Sequence, residues 1–156
     1  MAKRPIQEQF GFDGQDKTPA HDALVLWVDE NIREIVVEIL GLAEEPKILV
    51  KRWEQPIKTK RGALRGVADL YVRIRCGHTP PQQDRVVFVE AKPKIVSLGE
   101  VIRQIRIANT GDLTPFTTHT ILGESVFPEW VIVSPDDRFA ATIREQGFLF
   151  FKSPTL

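Results

Sequence analysis

The stretch VVFVEAK occupies residues 86–92 and joins an apolar run to an acid and a base. The apolar half predicts a buried strand that ends in Glu90. Side chains alternate between the two faces of a strand, so Glu90 and Lys92 are predicted to lie on one face. A second predicted strand, residues 66–72, carries one carboxylate at Asp69. Two carboxylates and an ammonium group on neighbouring strand ends can hold a hard divalent cation beside a phosphate.

The elements around this stretch follow the predicted order α-β-β-β-α-β-α-β. An apolar stripe at helical spacing predicts one helix over residues 21–41. Ser97 is the predicted N-cap of the helix after the Glu90 strand, and Ser134 is the predicted N-cap of a later one. Trp53 and Tyr71 are predicted to be core aromatics, with base-stacking platforms as the alternative interpretation. The order predicts an α/β domain with a central mixed β-sheet flanked by helices.

Length and composition indicate one domain and exclude several classes of protein. The chain has 156 residues, an ordinary apolar fraction and a net charge of zero. It has no apolar run long enough to span a bilayer, and its N-terminus lacks a secretory signal, so no membrane partner is expected. Cys76 is its single cysteine, which excludes a disulfide framework and favours a cytoplasmic protein. Residues 1–20 are predicted to be an irregular N-terminal arm, and residues 21–156 a single domain.

Positive charge is concentrated in one segment. Residues 47–75 hold nine basic and two acidic side chains, although the whole chain is balanced at 21 of each. The segment includes Asp69, so positive potential is predicted beside the two-carboxylate site, where it would attract a phosphate backbone. A predicted hairpin tip within it carries the candidate phosphate contacts, with a solvated loop as the alternative interpretation: Lys58, Lys60, Arg61 and Arg65.

Asp69, then Glu90-x-Lys92, then Gln104 on a following helix resembles the PD-(D/E)XK nuclease superfamily, which has the restriction-endonuclease-like fold. The resemblance extends over most of the chain. Two positions depart from the family pattern. Ala68 replaces the usual proline before the first Asp, and Ala108 stands where many relatives carry an aromatic residue.

The resemblance implies a Mg²⁺-dependent or Mn²⁺-dependent nuclease. Asp69 and Glu90 are expected to ligate the metal, and the backbone carbonyl of Ala91 to add a ligand. Lys92 is expected to lie near the attacking water and a non-bridging phosphate oxygen, where it would either orient the nucleophile or stabilise developing charge. The alternative interpretation of Glu90 and Lys92 is a surface ion pair at a solvated strand end.

Helical residues extend this expected site. Gln104 resembles a glutamine found after Glu-x-Lys in several branches of the family, and Glu100 shares its helix face. A capping role on a solvated face is the alternative for both. The first helix often supplies a further acid in this family. Asp29 lies closest to the apolar stripe and is preferred to Asp22.

The expected partner is DNA, with a second copy of the chain or a helicase or recombination subunit as further candidates. The alternative function is a catalytically decayed nucleic-acid-binding or assembly module of the same fold. DNA versus RNA and internal versus end cleavage stay open. The three histidines, at positions 21, 78 and 119, show no metal-ligand spacing, so no catalytic histidine is predicted.

Overall fold

A five-stranded mixed sheet forms the centre of the protein. A computed structural model describes residues 18–78 and 81–156. The strand order is β1-β2-β3-β6-β7, with β1–β2 and β2–β3 antiparallel and β3–β6 and β6–β7 parallel. A separate two-stranded hairpin is formed by β4 and β5. The strands are β1 (Lys47–Lys58), β2 (Leu64–Cys76), β3 (Gln83–Ala91), β4 (Thr118–His119), β5 (Ser125–Val126), β6 (Glu129–Ser134) and β7 (Leu149–Lys152).

Helices cover both faces of this sheet, so the predicted mixed sheet flanked by helices is confirmed. Two buried clusters lie on its two sides, one with side chains of α1 and α2 and the other with side chains of α3 and α4. The element order matches the prediction apart from a divided first helix and the additional β4–β5 hairpin. The helices are α1 (Pro19–Glu30), α2 (Ile32–Leu40), α3 (Leu98–Ala108) and α4 (Ala140–Glu145), with a 3₁₀ turn at Thr114–Phe116.

The first helix was predicted to be continuous, and the structure divides it at Asn31. The backbone N–H and the side-chain amide of Asn31 both donate to the carbonyl oxygen of Trp27, at 3.0 and 2.8 Å. Asparagine side chains compete for backbone groups in this way, which ends α1 at Glu30 and lets α2 begin at Ile32. The predicted stop at Gly41 is confirmed, with φ +62° at that residue.

The N-cap prediction succeeds at one helix and fails at another. Ser97 Oγ accepts the Glu100 N–H at 3.3 Å and begins α3. Ser134 Oγ accepts the Asp136 N–H at 3.0 Å, but α4 begins only at Ala140. The Asp136 carboxylate bonds to Arg138 and thereby stabilises a local turn in place of a first helical turn.

Of the two residues that were predicted to be core aromatics, one is buried and the other is not. Tyr71 lies in the second buried cluster, as predicted. Trp53 is 45% exposed on the edge strand β1, and its indole N–H donates to Asp29 Oδ2 at 2.5 Å, so its prediction as a core residue is wrong. A polar partner beside a half-exposed ring is a common arrangement for tryptophan.

At the N-terminus, residues 1–17 of the predicted arm lie outside the described residues. Thr18 Oγ1 accepts the His21 N–H at 3.1 Å, with Pro19 in the first turn, so α1 begins within the range assigned to the arm. Over the described ranges, no helix combines the length and apolar character that crossing a bilayer requires.

Candidate active site

The centre of the candidate site is the point where β2 and β3 separate. Their antiparallel ladder ends at the Leu70–Val89 pair, so the next residues in each direction are Asp69 and Glu90. Beyond this point the Ala91 N–H donates to Asp69 Oδ2 at 2.8 Å. β3 meanwhile keeps its parallel partner β6 as far as Ala91. A carboxylate thus takes the place of a backbone acceptor where the sheet opens.

The neighbouring strand β1 is irregular at the same level. It pairs Trp53 with Leu70 and Gln55 with Ala68, so Glu54 occupies the register position opposite Asp69. Glu54 has φ +50°, and among the described residues it is the one non-glycine with positive φ. Non-glycine residues rarely adopt this region, and such backbone is often found at functional sites. Asp69 therefore lies between an irregular position of β1 and the end of its pairing with β3.

His21 reaches Asp69 from the first turn of α1. Its Nε2 atom lies 3.1 Å from Asp69 Oδ1, and the two side chains are 4% and 1% exposed. Its Nδ1 atom lies 3.5 Å from the exposed carboxylate of Asp22. The sequence did not predict this histidine because the three histidines show no metal-ligand spacing. The available signal was its place on the buried stripe of the helix, three and four residues before Leu24 and Val25.

Glu90 and Lys92 lie side by side, as strand alternation predicts. Lys92 Nζ is 3.3 Å from Glu90 Oε1, and each side chain is only 8% exposed. The alternative of a solvated surface ion pair does not describe this geometry. Removing charges from water costs several kcal/mol per ion, so a buried pair at a strand end calls for a reason beyond stability.

Helix α3 carries two further residues of the predicted site, Glu100 and Gln104. Gln104 is buried, and its Nε2 lies 3.5 Å from Glu100 Oε1. The Arg103 guanidinium bonds to the Glu100 carboxylate and lowers its pKa, and the nearby Lys92 charge acts in the same direction. The structure therefore places Glu100 within electrostatic reach of Lys92. Ala108, which stands where relatives have an aromatic residue, is buried against the second cluster.

Asp29 lies elsewhere. Its carboxylate contacts the Lys51 ammonium and the Trp53 indole, both on β1. It follows His21 by eight residues on α1, which corresponds to about 12 Å along a helix axis. The structure therefore does not bring Asp29 to Asp69, and Asp22 is the first-helix acid beside the His21–Asp69 contact.

The predicted basic hairpin tip joins β1 to β2. The Thr59 N–H donates to the Ala63 carbonyl at 2.8 Å, and the Gly62 N–H to the Thr59 carbonyl at 2.9 Å. Four exposed cations surround this turn, and within the described part of the chain none of them forms an ion pair: Lys58, Lys60, Arg61 and Arg65. Arg65 precedes Asp69 by four residues, about 13 Å along a strand.

The donor chemistry of the site suits Mg²⁺ or Mn²⁺. No group of three or more His, Cys, Asp or Glu side chains suited to a metal ion occurs among the described residues. Magnesium in nucleotide and phosphate chemistry is usually held by one or two carboxylates, with water and substrate oxygens completing its shell. The buried carboxylates of Asp69 and Glu90 fit that pattern, whereas they are too few for a closed structural zinc site.

Comparison with known proteins adds one distant structural likeness. No protein-family model matches the sequence, and no curated protein matches it. Among solved structures, the chain is similar to an MspJI restriction endonuclease in complex with a 27-mer oligonucleotide, with a TM-score of 0.38 and 16% sequence identity. The alignment covers 97% of this chain and 32% of that one. At this TM-score the likeness supports no inference, so the function is inferred from the geometry of the site.

Proposed function

We propose that the protein is a Mg²⁺-dependent or Mn²⁺-dependent nuclease of the PD-(D/E)XK type that hydrolyses phosphodiester bonds in DNA. One observation carries the proposal: Asp69, Glu90 and Lys92 are buried together where β2 and β3 separate. The order of elements around them is also the one that the resemblance to this superfamily implies.

Asp69 and Glu90 would hold the cation through carboxylate oxygens, with the carbonyl of Ala91 as a further ligand. The bound cation would polarise the scissile phosphate and lower the pKa of the attacking water. The Ala91 N–H fixes one oxygen of Asp69, so the carboxylate enters the reaction already oriented. Pre-orientation of this kind removes an entropic cost from the chemical step.

Lys92 would act on the phosphate or on the water. Its ammonium nitrogen lies 3.3 Å from Glu90 Oε1, which holds it close to the carboxylate pair. It can donate to a non-bridging oxygen as charge accumulates there, or it can orient the nucleophile. Both roles need the positive charge at this position.

His21 and Gln104 would complete the walls of the site. The imidazole of His21 contacts Asp69, so it would either position this carboxylate or add a nitrogen donor beside it. Gln104 contacts Glu100 on α3, where its amide would orient that acid towards the Lys92 side of the site.

The exposed hairpin tip would draw in the nucleic-acid backbone. Its four exposed cations would contact phosphates without base readout. A second copy of the chain, or a helicase or recombination subunit, would be a further partner in such a role.

Supercoiled plasmid DNA tests the proposal directly. The parent protein is expected to nick or linearise it in Mg²⁺ or Mn²⁺ and to leave it intact in EDTA. Glu90→Gln keeps the shape of the side chain and removes its charge, so it is expected to lose cleavage. A parent that binds DNA but leaves both this plasmid and single-stranded DNA intact in both metals would favour the decayed binding or assembly module.

A further inference from the structure

A cavity of about 400 Å³ opens along β1, between the hairpin tip and the segment that follows α3. Its floor is aromatic, formed by Tyr71 and Phe116, and prolines contribute to its walls. Two cations, Arg52 and Lys58, stand at its rim. None of the residues predicted from the sequence to act in catalysis lines it.

Direct contacts define the floor and one wall of the cavity. Phe116 packs edge-on against Tyr71, with ring centroids 5.3 Å apart. The Asp112 N–H donates to the Lys58 carbonyl at 2.8 Å, which ties the segment after α3 to the base of the hairpin. Gly111 approaches so closely that a Cβ atom there would lie 2.8 Å from Ile57 Cγ2. The cavity is therefore a preformed feature of the fold.

The charge at the rim suits an anion. Arg52 and Lys58 are exposed, and neither has an ion-pair partner among residues 18–78 and 81–156. Asp112 is the one acid in the lining, and its carboxylate already accepts the Thr114 N–H at 3.1 Å. Cations at the rim above an apolar floor complement a ligand with a flat ring and an attached phosphate.

The cavity lies close to the candidate active site. Arg52, Tyr71 and Phe88 are lateral neighbours on β1, β2 and β3, and Glu90 follows Phe88 by two residues. Alternation places Phe88 and Glu90 on the same face of β3. Two strand spacings of about 4.8 Å and two residues along a strand separate Arg52 from Glu90 by about 12 Å. A strand of nucleic acid advances about 3.4 Å per stacked nucleotide, so both places are within reach of one short segment.

We propose that this cavity receives one unpaired nucleotide of the substrate strand, with its base against the Tyr71–Phe116 floor and its phosphate on Arg52 and Lys58. The inference rests on the proposed nuclease function and names its substrate class: single-stranded DNA, or DNA with a locally unpaired base. A base that stays paired within a duplex cannot enter the cavity.

Fluorescence anisotropy in EDTA tests the proposal without cleavage. Three labelled probes of about twelve nucleotides serve: a thymidine strand, an abasic strand with the same phosphates, and a duplex. The full-length parent is expected to bind the thymidine strand about tenfold more tightly than the abasic strand, since stacking of one base contributes that much. Equal affinity for the thymidine and abasic strands would overturn the proposal.

Variants then locate the preference. Val50→Trp fills the cavity and is expected to remove the preference for bases while keeping affinity for the abasic strand. Pro115→Ser, at an exposed wall position, is expected to reduce the preference and serves if the first variant fails to fold. Arg33→Ala, an exposed arginine on α2, is the matched control and should leave it unchanged. If Val50→Trp folds and still prefers the thymidine strand as the parent does, the bases bind elsewhere and the proposal is wrong. If only Pro115→Ser folds, an unchanged preference in that variant has the same meaning.

The outcome is separable from that of the nuclease proposal. A parent that prefers bases but never cleaves in Mg²⁺ or Mn²⁺ would end the nuclease proposal and leave the cavity assignment in place. A parent that cleaves but binds both strands equally would end only the cavity assignment.

Discussion

The two ends of the β2–β3 strand pair carry similar residue types in opposite surroundings. At the end near the β2–β3 turn, Asp84 accepts hydrogen bonds from Arg73 and Arg75 across the strands, and both guanidinium groups are at least one-third exposed. At the other end Asp69 and Glu90 are almost fully buried. Acids and bases on the same two strands thus form a surface clamp at one end and a buried cluster at the other.

The ladder explains the difference. At the clamp it continues to the Cys76–Gln83 pair, so backbone groups are satisfied and the side chains are free to form ion pairs in partial contact with water. At the other end it stops at Leu70–Val89, and the Asp69 carboxylate serves as acceptor for a backbone N–H. Ion pairs near solvent contribute little to stability, whereas buried charge is costly and is commonly kept for function.

The largest expected effect concerns the buried end. Lys92→Ala removes the ammonium group beside Glu90 and should lower the rate of DNA cleavage by about 10²–10³-fold, the usual cost of losing one electrostatic stabiliser of a transition state. Lys94→Ala, which removes an exposed lysine two residues later, is the matched control and should cut at the parental rate. Initial cleavage rates in a common Mg²⁺ buffer measure both. Parental activity in Lys92→Ala would refute the assignment of this lysine.

The second-largest expected effect is on stability in the presence of metal, which should differ between the buried end and the clamp end of the β2–β3 pair. Mg²⁺ at about a hundredfold excess over its Kd should stabilise the parent by about 2.7 kcal/mol, because it binds only the folded protein. Asp69→Asn is expected to lose this response, and Asp84→Asn at the clamp is expected to keep it. Thermal melts of the three proteins with EDTA and with Mg²⁺ give the comparison. An equal response in Asp69→Asn and Asp84→Asn would mean that Asp69 holds no metal.

A third comparison asks which end meets the nucleic-acid backbone. Lys60→Ala combined with Arg61→Ala removes two tip cations and should flatten the slope of log affinity against log salt by about two units. Lys47 and Arg75 are paired across β1 and β2 at the clamp end, so their double alanine variant is the control. DNA-binding titrations over a range of salt concentrations measure the slopes. If the two double variants flatten the salt dependence by the same amount, DNA does not bind preferentially at the buried end.

The smallest effect belongs to the clamp. Hydrogen bonding from Arg75, and then from Arg73, lowers the pKa of Asp84 below its ordinary 3.8. A carboxyl group with a lowered pKa in the folded state stabilises the fold above the unfolded pKa, and that contribution fades as pH falls towards the folded pKa. Asp84→Asn should therefore cost at most about 1 kcal/mol at neutral pH and progressively less below about pH 4. Urea unfolding at a series of pH values measures this, and a cost that stays constant down to pH 2 would contradict the assigned cause.

Local pattern was enough for much of the fold. Alternation along β3 placed Glu90 and Lys92 on one face, and an N-cap serine marked the start of α3. Local pattern failed where helix periodicity competes with side-chain hydrogen bonding. The side chain of Asn31 interrupts a helix in this way, and that of Ser134 delays one. Helix periodicity alone could not choose between those outcomes, because the same residue types also favour turns.

The sequence by itself determined the order of the main elements, the strand that leads into Glu90-x-Lys92 and the concentration of positive charge in the segment that contains Asp69. These properties depend on neighbours along the chain, and strand and helix periods translate them directly into faces.

Only the tertiary structure decided what surrounds Asp69. It brought His21 to one carboxylate oxygen of Asp69 and the Ala91 N–H to the other. It also placed the Asp29 carboxylate in contact with Lys51 on β1. It also ended the β2–β3 ladder one residue before the two acids meet. Contacts between residues distant in sequence depend on strand register and on how helices dock on the sheet. Those are set by the packing of the whole core, so no local pattern could fix them.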